Sequence, residues 1–238
     1  MDVVVIVPTY NERENIPDLV RAILSRPEYR VMVVDDASPD GTGHVAEALS
    51  EEFPGRVDVV HRTGARGLGR SYVDGLQRAL RSTADLVCQM DADWSHDPQY
   101  LPALVAASAE YDLVIGSRYL NGVSVVNWPL RRIILSAFGN RYIRWVTRLA
   151  PRDCTSGYRC WRKDLLAKLP LDRVVSDGYA FLVELLYEAA RRGARIGEVP
   201  IIFVERRKGV SKLSANVLLE SLITPWRLVW RRMVSANR

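Results

Sequence analysis

Leu86-Val87-Cys88-Gln89-Met90-Asp91-Ala92-Asp93 (residues 86–93) runs an apolar segment straight into two carboxylates one residue apart. Two other segments have the same form. Val3-Val4-Val5-Ile6-Val7 leads into Pro8-Thr9-Tyr10-Asn11-Glu12, and Val31 to Val34 leads into Asp35-Asp36. Continuous β-branched runs of this length read as strands buried on both faces. Between them lie helical patterns. Over residues 15–24, Ile16, Leu19, Val20, Ile23 and Leu24 share one face, and residues 40–53, 71–80 and 98–107 read as further helices. Val57 to Val60 and Leu113 to Ile115 add two more strands. Alternation of this kind predicts an α/β fold with a mostly parallel sheet flanked by helices. Ligands of such sheets bind beyond the carboxyl ends of the strands. The three polar strand ends are therefore expected to converge on one crevice.

The second half differs. Residues 129–149 read as a basic helix broken near Gly139, and residues 178–192 as an amphipathic helix. One or two short strands surround Pro200, followed by the basic loop Arg206-Arg207-Lys208-Gly209-Val210-Ser211-Lys212. A last helix is expected to start at Thr224-Pro225, with Thr224 as N-cap and Pro225 at the first helical position. The chain of 238 residues thus reads as one domain over 1–212 with a C-terminal amphipathic helical appendage over 213–238.

The net charge is only +5, but it is unevenly spread. No acid lies between Asp112 and Asp153, where Arg118, Arg131, Arg132, Arg141, Arg144, Arg148 and Arg152 fall. Such a half suggests phosphate groups, an anionic membrane surface or nucleic acid. Cys88, Cys154 and Cys160 have no metal-type or disulfide-type spacing, which fits a reduced protein. Met1 leads directly into the first strand, and no segment approaches the roughly 20 apolar residues that cross a bilayer. Neither a signal peptide nor a span is expected.

Two carboxylates at a turn off a strand can approach one hard cation, and Mg²⁺ or Mn²⁺ commonly bridges such a carboxylate to substrate phosphates. Asp91 and Asp93 are the candidate metal ligands. Asp35-Asp36 precedes Ser38-Pro39-Asp40-Gly41, which is turn chemistry in its own right. One of these acids can accept from a base or ribose, or can simply cap the next helix. A dinucleotide-dependent oxidoreductase would need a glycine fingerprint where Pro8-Thr9-Tyr10 stands. A nucleic-acid module leaves the strand-end acids unexplained, because they repel phosphate without a metal.

Taken together and in this order, Pro8 to Glu12, Asp35-Asp36 and Asp91-Ala92-Asp93 resemble the family-2 inverting glycosyltransferases of the GT-A (nucleotide-diphosphosugar transferase) fold. Gly67-Leu68-Gly69, Asp91 to His96, Gly116-Ser117-Arg118-Tyr119, Thr155 to Arg159, Gly197 to Ile201 and Arg206 to Leu213 resemble the dolichol-phosphate mannose synthases. The resemblance covers residues 2–213. It implies that Pro8, Tyr10, Glu12, Val34 and Asp36 hold the guanosine of GDP-mannose. Asp91 and Asp93 hold the metal and diphosphate, and Ala92 contacts through its backbone. Arg118, Arg206 and Lys212 engage phosphate or acceptor. Trp94 and Ala37 depart from the pattern, where smaller residues and glycine are usual. No segment of these 238 residues is expected to form the multi-helix membrane domain of some relatives.

The implied reaction is metal-dependent transfer of mannose to a polyprenyl (dolichyl) phosphate. The alternative is a related transferase using UDP-glucose or another nucleotide-sugar. An acceptor phosphate is already anionic near neutral pH, so no catalytic base is needed. That agrees with a histidine content of His44, His61 and His96 alone. The catalytic assignment is Asp91, Asp93 and Arg118. Trp226, Val229, Trp230 and Met233 fall at helical spacing among arginines, and residues 128–149 mix Trp128, Tyr142 and Trp145 with five more. Basic aromatic helices of this type lie in a membrane interface. A peripheral protein on the cytoplasmic face is expected, with an integral membrane partner compatible and no nucleic acid.

Overall fold

The structure is a computed structural model that describes residues 1–174, 178, 180–205 and 215–236. The first half builds β1 (Val3–Thr9), α1 (Ile16–Leu24), β2 (Tyr29–Asp35), α2 (Thr42–Glu52), β3 (Val57–His61), α3 (Leu68–Leu80), β4 (Leu86–Gln89), α4 (Leu101–Ala107) and β5 (Leu113–Ser117). The second adds β6 (Val125–Val126), α5 (Leu130–Thr147), β7 (Arg159–Arg162), α6 (Lys163–Leu166), α7 (Ala180–Arg191), β8 (Ile196–Pro200), β9 (Phe203–Val204) and α8 (Ala215–Ala236). Seven strands form one sheet in the order β3-β2-β1-β4-β7-β5-β8, and β6 pairs with β9 in a second small one. Every pair in the large sheet is parallel except those of β7, which runs antiparallel between β4 and β5.

β1 shows why a continuous apolar run was needed. Val3, Val5 and Val7 pack with α1, α2 and α4 on one face, while Val4 and Ile6 pack with α3 and α7 on the other. Contact with α3 is close at Gly75: a Cβ there would lie 2.6 Å from Ile6 Cγ2 and 3.1 Å from Val34 Cγ2. Gly75→Ala is expected to destabilise the chain by about 1–2 kcal/mol in urea unfolding. Overpacking of ~1–3 kcal/mol outweighs the ~1 kcal/mol gained in helix propensity. Unchanged stability would mean that α3 can slide outward.

Two expectations need correction, and one strand was not foreseen. The final helix does not begin at Thr224-Pro225: α8 starts at Ala215 and carries Pro225 inside it. Proline removes an N–H and crowds the preceding turn, but Tyr142 Oη of α5 donates to Leu222 O in that turn at 2.8 Å. Tertiary contact with α5 and α7 overrides the stop signal. Gly139 does not break α5, which is continuous from Leu130 to Thr147. A glycine costs a helix only about 1 kcal/mol, and nothing approaches its missing Cβ. β7 was not anticipated as a strand. Its ends are arginines, but Cys160 and Trp161 enter opposite faces of the core.

Candidate active site

The carboxyl ends of β1, β2 and β4 lie side by side, because β1 pairs with both neighbours. Each is followed by a non-glycine residue in the left-handed region: Asn11 (φ 62°), Ala37 (φ 55°) and Trp94 (φ 64°). Such backbone costs energy and concentrates where loops present functional groups. It also accounts for glycine as the usual residue at position 37.

Around the first two loops, most of the acids are engaged. Asp35 accepts from Thr9 Oγ1 and from both Ser38 N and Oγ, and so ties two loops together. Asp36 Oδ2 accepts from Gly67 N at 2.8 Å, and its Oδ1 pairs with Arg62. Asp40 takes the capping role at α2, accepting from Thr42 N and Oγ1. Pro8 is buried and Val34 is fully buried in the core, so Val34 offers a ligand only its backbone. Tyr10 receives Arg66, whose guanidinium lies 4.7 Å from the ring centre and donates to the phenol oxygen. Glu12 Oε2 accepts from Asn15.

The β4 loop builds a carboxylate pair. Asp93 Oδ1 accepts from Ser95 N (3.1 Å) and Ser95 Oγ (2.6 Å). Asp91 Oδ1 accepts from Tyr72 Oη of α3 at 2.8 Å. Burial, and then the Asp91 charge, pushes the Tyr72 phenol well above its ordinary pKa, which keeps it a donor. Asp91 N donates to His96 Nδ1 at 3.0 Å, and burial holds that imidazole below its ordinary pKa despite both carboxylates. Ala92 is buried between the two acids. Asp91, Asp93, Ser95 and His96 line one cavity with Gly157. A Cβ on Gly157 would lie 3.7 and 3.9 Å from the Asp91 oxygens, so glycine keeps their open side clear. Two hard oxygen donors beside a cleared space suit Mg²⁺ or Mn²⁺, with substrate and water completing the shell. Among the described residues no cluster of three acidic, histidine or cysteine side chains forms a metal site by itself.

Tyr72→Phe removes the hydroxyl that orients Asp91 and leaves the ring stacked on Phe181 at 5.4 Å. Loss of such a supporting hydrogen bond costs about 10–100-fold in metal affinity or activity. A metal titration of turnover is expected to show at least the lower value, with melting temperature held.

The opposite wall carries two arginines, each paired with a carboxylate. Arg118 is nearly buried; its Nε and Nη2 grip both oxygens of Asp153 at 2.7 Å, and Nη2 also reaches Thr155. Arg132 pairs with Glu205 and stacks on Trp128 at 3.9 Å. Sequence reading had treated Arg132 only as one of a run of arginines, Tyr72 only as a helix residue, and Asp153 only as the end of an acid-free stretch. Arg159 is fully buried against the carbonyls of Cys154, Ser156 and Leu182, and burial lowers its pKa to about 10. Arg206 and Lys212 lie outside the described residues. Arg118, Trp128, Arg132 and Thr155 also border a second cavity of about 400 Å³. This one is apolar, lined by Leu135, Phe138, Ile143, Val183, Leu222 and Pro225 between α5, α7 and α8.

Residues 4–169 match the model of glycosyl transferase family 2. The chain is 46% identical over 220 residues to the polyprenol monophosphomannose synthase of Mycolicibacterium smegmatis, covering 92% of this chain and 83% of that one. It is also 46% identical over 234 residues to the undecaprenyl-phosphate mannosyltransferase of Micrococcus luteus, covering 97% and 96%. Among solved structures it is similar to mannosyl-3-phosphoglycerate synthase from Rubrobacter xylanophilus, with TM-score 0.71, 21% identity, and coverage of 100% of this chain and 76% of that one. Glucosyl-3-phosphoglycerate synthase from Mycobacterium tuberculosis, solved with Mn²⁺ and UDP, gives TM-score 0.66 at 19% identity over 94% and 78%. These two structural likenesses bear on the fold, which is of the GT-A type.

Proposed function

The chain belongs to glycosyl transferase family 2, and from that premise we propose that it transfers mannose from GDP-mannose to a polyprenyl phosphate, inverting the anomeric carbon, with a divalent metal at Asp91 and Asp93. The observation that carries this reading is the junction of two cavities. A carboxylate-lined one suits a metal and diphosphate, and an apolar one suits an isoprenoid chain. They meet at Arg118 and Arg132, where an acceptor phosphate would have to sit. The two relatives of 46% identity carry polyprenol or undecaprenyl phosphate and mannose in their names, in agreement with this.

Asp91 and Asp93 hold the cation. When bound, it neutralises charge gathering on the departing diphosphate. Tyr72 and Ser95 fix the two carboxylates so that neither must reorganise during the reaction. Arg132 and Arg118, with Arg206 and Lys212 from the basic loop, pair with the acceptor phosphate. Its oxygen is already an anion, so no residue needs to remove a proton. Pro8, Tyr10, Glu12, Val34 and Asp36 take the nucleoside.

The substrate tail also assigns the surroundings. Phe138, Trp145, Trp226 and Trp230 of α5 and α8 are more than half exposed, with Trp145 reaching 72%. Beside arginines, such a face lies in a membrane interface. Among the described residues no helix is long and apolar enough to cross a membrane. We place the chain peripherally on the cytoplasmic face, with residues 213–238 as the interfacial appendage; an integral membrane protein can share that surface.

The test is direct. The protein is incubated with Mg²⁺ or Mn²⁺, a short polyprenyl phosphate, and either GDP-mannose or UDP-glucose, and the lipid is extracted. Mannolipid from GDP-mannose is the expected product. Product from UDP-glucose alone would overturn the donor assignment, and product without metal would overturn the metal assignment.

A further inference from the structure

His96 lies with two carboxylates in one cavity and so has the look of a third metal ligand. Its hydrogen bonds say otherwise. The Asp91 amide donates to Nδ1 at 3.0 Å, so Nδ1 carries the lone pair. A neutral imidazole has one N–H, which must then be on Nε2. A protonated Nε2 cannot ligate a metal. Ring reversal is blocked chemically, since it would turn a carbon toward the Asp91 amide. It is also blocked by packing: the ring stacks on Tyr158 at 4.9 Å and meets the edge of Phe203 at 5.5 Å.

The Nε2–H is therefore the donor that the ring has left for the cavity it lines. The side chain is only 2% exposed, yet it lines the cavity of Asp91, Asp93 and Arg118. Among the described residues the hydrogen bond of the His96 ring is the one at Nδ1. A ring N–H at the wall of a cavity can donate to whatever acceptor occupies it. Because Nδ1 grips the backbone of Asp91, the ring is fixed relative to the carboxylate that faces the diphosphate. We propose that His96 touches substrate, donating Nε2–H to a β-phosphate oxygen of the departing nucleoside diphosphate. The anomeric C–O bond breaks toward this oxygen-bearing group, its negative charge grows, and the fixed donor strengthens with it. His96 keeps its proton throughout. This inference rests on the nucleotide-sugar reading above.

Two variants separate substrate contact from support of Asp91. Asn at position 96 places a side-chain oxygen where Nδ1 was and removes the Nε2 donor. Gln at 96 places an N–H near the old Nε2 and abandons the Asp91 amide. His96→Asn is expected to melt with the wild type yet lose on the order of 10²-fold in kcat, with little change in donor KM. His96→Gln is expected to recover part of that kcat. Equal losses in both, in step with lost stability, would make His96 a mere support and overturn the proposal. So would wild-type kcat in His96→Asn.

A second readout does not depend on turnover. With ¹⁵N-labelled histidine, the Nε2–H signal of His96 is expected to move downfield when GDP and Mg²⁺ are added, and not when GMP and Mg²⁺ are added. GDP binding without that shift overturns the His96 assignment alone, as does a shift seen only with GDP-mannose, which would put the contact on the sugar. Absence of any nucleoside diphosphate binding would take the proposed function down with it.

Discussion

Asp93→Asn and Asp91→Asn are each expected to lower kcat/KM by about 10³-fold while leaving the fold intact. The exchange keeps volume and removes one charge from the pair proposed to face the diphosphate. A cation stabilises developing charge by several kcal/mol, and a few kcal/mol of lost transition-state stabilisation corresponds to that factor. The fold survives for local reasons. Asp93 Oδ1 receives Ser95 N and Oγ, and an Asn oxygen can accept the same bonds. Asp91 receives Tyr72 and is about one-third exposed. Removing one of two adjacent like charges also relieves repulsion. In the absence of metal, both variants should therefore melt no lower than the wild type by more than a few degrees. Mn²⁺ with GDP should raise the wild-type melting temperature by mass action, and the variants should lose that rise. Activity retained in both variants would remove the metal role from this pair.

The sequence displayed the sheet well because its strands are buried on both faces. A run such as Val3 to Val7 has no other simple reading, and the polar residues at its end mark where the sheet opens to ligand. The elements it concealed depend on partners distant in the chain. β7 is held by pairing Cys160 with Cys88 and Val114, which no local pattern announces. α8 passes through Pro225 because it rests on α5 and α7. The same division holds at the site. Asp91 and Asp93 are local, one turn beyond a strand, and their type and spacing can be read directly. Ser95 and His96, which hold them, are local too, but the other groups around the site are not. Tyr72 comes from the preceding helix, Gly157 from the loop before β7, and Arg132 and Glu205 are joined across 73 positions. Asp153 stands in Arg152-Asp153-Cys154 with nothing to distinguish it from a surface acid. Only the fold shows it fully buried under Arg118.

That burial makes Asp153 the position where a single side chain should cost most stability. Asp153 Oδ2 accepts from Arg118 N and Nε, and Oδ1 accepts from Nη2. Asp153→Ala strips the counter-charge from a guanidinium that is itself only 5% exposed. Breaking a buried pair from one side costs about 3–5 kcal/mol, because the remaining charge is left without compensation. The loss should reach the active site as well, since Arg118 borders both cavities. Proton linkage gives an independent check. Burial by itself would raise the Asp153 pKa, but the Arg118 charge and its hydrogen bonds outweigh that and hold it below the ordinary carboxylate value. A carboxyl depressed in the folded state adds stability that is fully present above its unfolded value near ~3.9, and that is lost as pH falls through the lower folded value. Wild-type stability in urea should accordingly fall below about pH 4. Asp153→Asn, which cannot ionise, should start lower at neutral pH and fall less steeply there. Parallel stability curves for the two proteins, or a cost below about 1 kcal/mol for Asp153→Ala, the level of a surface pair, would show that Arg118 does not depend on Asp153 for its place in the site.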